Sequence, residues 1–312
     1  MQDSSGSPSI TQMVNDSGLV REVVGQLGLS RGAERVQLGQ SNEVWIGSDW
    51  VLRVGGADDS LLTEAKVVAQ LPAAVGYPRV IGVGRTGGRC WMVAERLAGQ
   101  NLELVWPHLT APARVCAIRD LWARVSAVHA TDLTRLPTLN ATPLYALTPA
   151  TAQKQIAVAS PTIGHRAADR LSVIVAEGFD ALDQIDQALV HSDAALGNAV
   201  WDGRAAVPVD FEFACVGPMD LDLERLARET ANTDEVTWRD VGSDIILAAV
   251  RNLGGAARLR CYAVLFDLWA YGKWFDNAPT ATDKESWAPT RNLIAAADGK
   301  SWTDRAINDL HA

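Results

Sequence analysis

The sequence predicts an α+β protein of two lobes, with an antiparallel sheet and one main helix in the N-lobe and a mostly α-helical C-lobe. Before Gly99, short runs rich in Val, Ile and Trp alternate with Gly, Asn and Asp, a pattern typical of strands and turns. After Gly99, apolar residues recur three and four positions apart, which is typical of amphipathic helices. A chain of 312 residues is also long enough for two packed cores. We therefore assign residues 1–97 to the N-lobe and 98–312 to the C-lobe.

The N-lobe is predicted to open with a flexible polar tail over residues 1–15 and a short amphipathic helix over 18–29. Five strands are predicted at residues 36–38, 43–46, 50–54, 79–83 and 90–95. A helix at 60–71 interrupts the strands, and its apolar stripe consists of Leu61, Ala65, Val68 and Ala69. One helix inside a run of hairpins is a specific clue to the fold of this lobe.

The C-lobe contains segments with helical periodicity at residues 111–129, 165–188, 221–229, 238–252, 256–275 and 287–297. The interruption at 188–210 contains two short apolar runs, 189–191 and 207–209, next to polar loops. Because catalytic residues are often carried by loops on a rigid scaffold, this interruption is where we expect the functional residues.

Charge and composition narrow the range of partners. The chain carries 28 Lys and Arg against 37 Asp and Glu, a net charge of −9, which argues against nucleic acid and is compatible with a cationic ligand. No apolar run approaches the roughly 20 residues that a membrane span requires, and the N-terminus lacks the pattern of a secretory signal. The four cysteines are far apart and form no C-x-x-C pair. We expect a cytoplasmic protein with reduced cysteines and no membrane partner.

Three polar residues of the interruption have the chemistry of a magnesium site. Asp193 and Asn198 lie on one loop, and Asp210 follows the next apolar run. They supply oxygen ligands and a spare carboxylate, and Mg²⁺ commonly takes one or two such ligands together with phosphate and water. In phosphoryl transfer a carboxylate can accept the proton of the attacking hydroxyl. We assign Asp193 as the base and Asn198 and Asp210 as metal ligands, although each residue alone is also a common loop former.

The motifs around these residues resemble a known catalytic signature. They are His191-Ser192-Asp193 with Asn198, then Asp210-Phe211-Glu212, then Gly-Pro-Met-Asp-Leu-Asp-Leu at 217–223. In this order they are similar to the signature of the aminoglycoside phosphotransferase and choline kinase family, and the resemblance extends over residues 36–226. It implies a protein-kinase-like fold, and an enzyme that phosphorylates a small-molecule hydroxyl with ATP and Mg²⁺.

The resemblance also implies nucleotide contacts in the N-lobe. Residues 38–42 resemble the nucleotide loop of the family, 51–54 the strand with the phosphate-contacting base, and 94–99 the segment that joins the lobes. The implied nucleotide-binding residues are Ser41, Asn42, Arg53, Glu64, Glu95 and Leu97. Glu64 would pair with Arg53 and hold its guanidinium on the phosphates, while the Glu95 carbonyl and the Leu97 amide would meet the adenine edge.

Three departures from the protein-kinase pattern affect these assignments. Arg53 replaces lysine, and Arg binds in a planar, bidentate way where Lys is a point charge. Asp-Phe-Glu replaces Asp-Phe-Gly, which makes Glu212 a further carboxylate beside the metal or the acceptor. The nucleotide loop has one evident glycine, Gly39, where protein kinases have three, so the choice between ATP and GTP stays open.

The acceptor site is the least specified part of the sequence. Our candidate substrate-binding residues are Glu212 and, on one predicted helix, Asp267, Trp269 and Tyr271. Carboxylates beside aromatic rings suit an amino sugar or a quaternary ammonium through charge pairing and cation–π contacts. The competing interpretation is that acidic residues form a solvated helix face and aromatic residues belong to the core.

The favoured hypothesis is an ATP- and Mg²⁺-dependent phosphotransferase that acts on a hydroxyl of a small molecule such as an aminoglycoside or another antibiotic. An amino sugar, choline, homoserine or methylthioribose remains open as acceptor within the same chemistry. A catalytically idle nucleotide-binding relative is the second hypothesis, and the joint presence of Asp193, Asn198 and Asp210 argues against it. A protein kinase is disfavoured because no Ala-Pro-Glu segment follows Asp210.

Overall fold

Two units account for the chain in the computed structural model, which describes residues 10–30, 32–36, 42–139, 148–182, 185–231, 244–245, 255–274 and 287–309. The first unit comprises residues 1–70 and 77–98, and the second comprises 71–76 and 99–312. A sheet with helices forms the first unit, whereas the second is mainly helical. The predicted α+β class is therefore confirmed.

The sheet of the first unit has five antiparallel strands. They are β1 (Glu34–Val36), β2 (Glu43–Ile46), β3 (Trp50–Val54), β4 (Val80–Thr86) and β5 (Arg89–Glu95), and their spatial order is β1-β2-β3-β5-β4. The helices of this unit are α1 (Ile10–Gln26) and α2 (Ser60–Val68). Every neighbouring pair of strands is antiparallel, as the hairpin pattern predicts.

Alternation along β3 decides which side chains face each helix. Trp50, Leu52 and Val54 are buried and join one core with the apolar residues of α1. Successive strand side chains point to opposite faces, so Arg53 lies on the other face, where Met92 of β5 is its cross-strand partner. Met92 packs with residues of α2. The face that carries Arg53 is therefore the face that α2 covers.

The second unit combines helices with two small antiparallel sheets. Its helices are α3 (Leu102–Val105), α4 (Ala111–Val128), α5 (Pro149–Ile163), α6 (His165–Asp180), α7 (Asp220–Ala231), α8 (Ala256–Trp274), α9 (Ala288–Ala297) and α10 (Trp302–Asp309). One sheet consists of β6 (Gln100–Asn101), β8 (Ala199–Trp201) and β9 (Ala206–Pro208), and the other pairs β7 (Gln187–Val190) with β10 (Cys215–Pro218).

Helix α7 lies at the centre of the second unit. Leu223 and Leu226 belong to a core that includes residues of α4, whereas Leu221 belongs to a second core with residues of α6 and α8. Polar residues of α7 are buried as well, among them Asp222 and Glu224. A helix that packs on several sides is a rigid support for the loops beside it.

Several predicted boundaries are wrong. The first helix begins at Ile10, so residues 10–15 of the predicted flexible tail are helical. Helix α6 ends at Asp180, short of the predicted end at 188. The last two residues of the predicted helix, 187–188, belong instead to β7, which pairs with β10. The apolar run of β7 has a length that suits either a strand or a helical turn, and pairing with a distant strand decides between them.

Three helices were not predicted, and the shortest of them is α3. Helix α5 begins after Thr148, whose side chain accepts a hydrogen bond from the Thr151 amide, and Pro149 occupies its first turn. This Thr-Pro start is a recognisable signal for a helix N-terminus. Helix α10 is short and strongly amphipathic, with Trp302 and Ile307 buried.

Some predictions fall outside the described residues. The predicted strand at 36–38 corresponds to β1, which ends at Val36, and Leu38 lies beyond the described part. Of the predicted helix at 238–252, only residues 244–245 are described, and they are helical. Within the described part of the chain, no helix is both long and apolar enough to cross a membrane.

Candidate active site

The loop between β7 and β8 is fixed by a buried carboxylate of α7. Asp222 accepts hydrogen bonds from the backbone amides of His191, at 2.9 Å, and Ser192, at 2.7 Å. Its Oδ2 also lies 2.9 Å from Nε2 of His129, the residue that follows α4. These contacts show that Asp222 braces the loop.

Asp193 and Asn198 are hydrogen-bonded to each other within this loop. The Asn198 Nδ2 donates to Asp193 Oδ2 at 2.9 Å and to the Asp193 backbone carbonyl at 3.0 Å. Because the amide nitrogen is used in this way, Oδ1 of Asn198 is the atom left to act as an oxygen ligand. The Asp193 side chain is partly exposed. The structure thus brings together the predicted base and one predicted metal ligand.

A third group also contacts Asp193. The Arg225 Nε, on α7, donates to Asp193 Oδ1 at 3.1 Å. Both carboxylate oxygens therefore have a donor, Asn198 on Oδ2 and Arg225 on Oδ1. The sequence analysis missed Arg225, since a contact between residues 32 positions apart has no signature in local spacing.

The second part of the predicted signature follows β9. Asp210 has φ +66° and ψ 67°, and a single turn of 3₁₀ helix begins after it. Val209 is joined to the loop, because its amide donates to the Asn198 carbonyl and its carbonyl contacts Nε2 of His191. These two bonds connect the segment before Asp210 to the loop that carries Asp193. Glu212 lies two residues further on and is half-buried.

Backbone strain coincides with these two segments. Among the described residues, Ser192 and Asp210 are the non-glycine residues with positive φ. Such conformations cost free energy and are concentrated at functional sites. The Ser192 Oγ donates to the Phe213 carbonyl at 2.6 Å, which ties the loop to the turn after Asp210.

In the first unit, Arg53 and Glu64 form the predicted ion pair. The Arg53 Nη1 lies 2.6 Å from Oε1 and 2.7 Å from Oε2 of Glu64, whose side chain is fully buried. The hydroxyl of Tyr77 donates to Glu64 Oε1 at 3.3 Å. A guanidinium held in this way has a fixed orientation, which is the property a phosphate contact needs.

The other predicted nucleotide contacts are described only in part. Asn42 precedes β2, and its Oδ1 is close to the backbone of Gly55. A Cβ placed on that glycine would lie only 3.0 Å from this oxygen. Glu95 ends β5, and its side chain pairs with Arg79 at an exposed position. Leu97 is half-buried two residues later, and Ser41 lies outside the described residues.

The candidate acceptor residues on α8 have internal partners. Asp267 is buried, accepts hydrogen bonds from Arg228 and Asn292, and has a pKa that burial raises while Arg228 opposes the rise. Tyr271 is also buried and contacts the Thr162 hydroxyl. Trp269 is half-buried, with the ammonium of Lys273 4.9 Å from its ring centroid. These contacts favour the core interpretation for Asp267 and Tyr271, and acceptor binding by the set stays a prediction.

Replacing Asp222 with alanine is expected to lower the free energy of unfolding by about 2–4 kcal/mol, because two buried backbone amides and the His129 ring lose their acceptor. Urea unfolding would measure this loss. Asp202 is a matched control, since it accepts from the amides of Arg204 and Ala205 in an exposed turn. Water can replace that acceptor, so Asp202→Ala should cost less than about 1 kcal/mol. Equal losses in the two variants would show that burial does not set the effect.

The comparison with protein families decides where the chain belongs. The family model described as the phosphotransferase enzyme family, APH, matches residues 32–260. The chain belongs to this phosphotransferase family. The match includes the Asp193 loop, Asp210 and the start of α8, up to residue 260. The comparison with curated protein sequences gives no match.

Solved structures show that the phosphotransferase shares its fold with aminoglycoside kinases. A GDP complex of a mutant aminoglycoside 2′-phosphotransferase-IIIa is 14% identical, with a TM-score of 0.65 over 94% of this chain and 98% of the other. The ADP-bound aminoglycoside phosphotransferase APH(2″)-Ib is 12% identical, with a TM-score of 0.62 over 92% and 99%. A thermostable mutant of APH(4)-Ia with AMP-PNP and hygromycin B is 16% identical, with a TM-score of 0.57 over 92% and 97%. The predicted kinase-like fold is confirmed.

Proposed function

We propose that the chain is an ATP- and Mg²⁺-dependent kinase that phosphorylates a hydroxyl of a small, cationic molecule. The observation that carries this proposal is the arrangement around Asp193, whose carboxylate is oriented by Asn198 on a loop that Asp222 braces. A partly exposed carboxylate with fixed orientation is suited to accept a proton from a bound hydroxyl. A cytoplasmic location, where ATP is abundant, goes with this proposal.

In the proposed reaction the acceptor oxygen attacks the terminal phosphorus of the nucleotide. The O–H proton passes to the Asp193 carboxylate, a new P–O bond forms, and the bond to the bridging oxygen breaks to leave ADP. Asn198 Oδ1 and the Asp210 carboxylate are the atoms that would hold Mg²⁺, and this donor set of two oxygens suits an ion that also binds phosphate and water. When bound, Mg²⁺ would neutralise negative charge on the phosphate oxygens.

Arg53 would bind the nucleotide phosphates, and its orientation would come from Glu64. Arg53→Ala is expected to raise the KM for ATP about 10- to 100-fold, because a charge-assisted, bidentate contact is lost. The KM for the acceptor should change little. Steady-state kinetics with each substrate varied in turn would measure both constants.

Arg85→Ala is the matched control for this prediction. Arg85 belongs to the same unit and pairs with Asp59 at an exposed position, where an ion pair contributes little. Its KM for ATP should stay within about twofold of the wild-type value. If Arg53→Ala changes the KM for ATP no more than Arg85→Ala does, Arg53 does not bind the nucleotide.

The acceptor class is proposed from charge and from the structural neighbours. The net charge of −9 favours a cationic acceptor. Neighbours with the same fold have been solved with hygromycin B, gentamicin or streptomycin. We therefore place aminoglycosides first, ahead of other antibiotics and of amino sugars, choline, homoserine and methylthioribose. Glu212 and Trp269 are the more accessible of the proposed acceptor residues.

A coupled ADP-release assay tests the proposal. Purified protein with ATP or GTP and Mg²⁺ would be offered each acceptor class in turn, and the product would be confirmed by mass as a gain of one phosphoryl group. Acceptor-dependent release with one class supports the kinase and identifies that class. Nucleotide binding by calorimetry without release for any acceptor would favour the idle relative, and no nucleotide binding would contradict the proposal.

A further inference from the structure

Helix α7 contacts the predicted base at two points that lie on one face of the helix. Asp222 accepts hydrogen bonds from the backbone amides of His191 and Ser192, immediately before Asp193. Arg225, three residues later in α7, donates from Nε to Oδ1 of the Asp193 side chain. Residues three apart are neighbours on a helix surface. One rigid element therefore holds both the backbone and the side chain of the base.

The Arg225 guanidinium is itself held by two further contacts. Its Nη1 lies 3.4 Å from Oε1 of Glu229, one turn along the helix. Its carbon lies 4.6 Å from the ring centroid of Phe266 on α8. The Arg225 side chain is partly exposed to the same extent as that of Asp193, with 17% of its surface exposed against 16%. A guanidinium stacked on a ring and paired at two nitrogens loses little further entropy when it orients another group.

Acidic groups surround this guanidinium. Burial raises the pKa of the Glu229 carboxyl, while Arg225 acts in the opposite direction and Glu103 and Asp193 add to the rise. Glu103 also faces the loop, since its Oε2 is close to the backbone of Gly197. A Cβ placed on that glycine would lie only 2.9 Å from this oxygen. Without Arg225, the Asp193 carboxylate would repel these neighbours and could rotate about its remaining contact with Asn198.

We propose that Arg225 is a positioning residue for phosphoryl transfer, which fixes the plane of the Asp193 carboxylate so that it presents a free lone pair to the acceptor hydroxyl. This inference rests on the proposed function. Asn198 defines the position of Oδ2 and Arg225 that of Oδ1, so the two donors together determine the rotation of the carboxylate. Each carboxylate oxygen has two lone pairs, and one on each remains for a substrate proton.

The role predicts a specific kinetic pattern for Arg225→Ala. We expect kcat to fall about 10- to 100-fold, because a misoriented carboxylate is less efficient at accepting the proton of the acceptor hydroxyl. The KM for ATP should stay within about twofold, since Arg225 acts through Asp193. Ethylguanidinium added to the variant should restore part of kcat in a saturable way. Arg225→Lys should recover less, because its ammonium lies one bond beyond the position of Nε and cannot form the same planar fork.

Arg260→Ala is the matched control. Arg260 Nε donates to Asp304 Oδ1 at 2.8 Å, so the same kind of contact is lost in another part of the second unit. Its kcat should stay within about twofold, with no response to ethylguanidinium. The two variants should be compared at a temperature at which melting curves show both to be folded.

The outcomes separate the two proposals. One outcome is that the wild-type protein turns over and that Arg225→Ala and Arg260→Ala have the same kcat. This result overturns the role of Arg225 and leaves the kinase proposal intact. A rise in the KM for ATP with unchanged kcat, or a loss of kcat without rescue by ethylguanidinium, also overturns it. Absence of turnover in the wild-type protein with every acceptor refutes the proposed function and this role with it.

Discussion

Asp193→Ala is expected to lower kcat by about three to four orders of magnitude, because neither side chain that contacts the Asp193 carboxylate can replace it as the base. Asn198 contacts Asp193 through an amide nitrogen and Arg225 through a guanidinium, and neither is a base at neutral pH. The affinity for nucleotide should change by less than about twofold, since a base that contacts only the acceptor does not contribute to nucleotide binding. The coupled ADP-release assay gives kcat, and calorimetry gives the nucleotide affinity.

The isosteric variant Asp193→Asn is the control for packing around the base. It keeps the size of the side chain but removes the charge and the basic oxygen, so its kcat should be as low as that of Asp193→Ala. A kcat close to the wild-type value in Asp193→Asn would mean that Asp193 orients the acceptor rather than accepts its proton. Unchanged turnover in both variants would remove Asp193 from the mechanism.

The sheet of the first unit is largely readable from sequence because its strands alternate cleanly. Strands β2 and β3 begin and end where predicted, since Trp50, Leu52 and Val54 point to one face and leave Val51 and Arg53 on the other. This alternation also placed Arg53 on the face that α2 covers. The ion pair between Arg53 and Glu64 could therefore be predicted from the sequence, because only one helix lies between the predicted strands.

The C-terminal half was harder to predict because tertiary contacts decide its local structure. The run at 187–190 is apolar and short, and only pairing with β10 makes it a strand instead of the end of α6. Helix α5 was missed because its Ala- and Thr-rich sequence has a weak apolar stripe, although Pro149 marks its start.

The candidate site also contains residues that the sequence predicts and residues that only tertiary contacts reveal. Asp193, Asn198 and Asp210 follow from residue type and order along the chain, but Arg225 reaches Asp193 only because α7 packs beneath the loop. Asp267 was grouped with possible acceptor contacts because a sequence does not reveal that a carboxylate is buried against a distant arginine. In the structure that arginine is Arg228, and the pair is enclosed between α7 and α8.

Removal of the carboxylate at position 210 is expected to abolish Mg²⁺-dependent nucleotide binding. Without it, Asn198 would be the one protein ligand left of the proposed pair, and a single amide oxygen is a weak partner for Mg²⁺. Calorimetric titration of nucleotide with and without Mg²⁺ would measure the effect. The two titrations should coincide in the variant and differ in the wild-type protein.

The backbone conformation at position 210 determines which variants remove the ligand without adding backbone strain. Asp210 has a positive φ, which alanine adopts only at a cost of about 1 kcal/mol or more, so Asp210→Ala would combine strain with loss of the ligand. Asp210→Asn keeps a side chain that tolerates this conformation, and Asp210→Gly removes the strain altogether. We expect both to melt near the wild-type temperature. Asp210→Gly, which has no ligand oxygen, should lose Mg²⁺-dependent binding, whereas Asp210→Asn, which keeps a neutral amide oxygen, should show it only weakly. If Asp210→Gly keeps the full Mg²⁺ dependence while it remains folded, Asp210 is not the metal ligand.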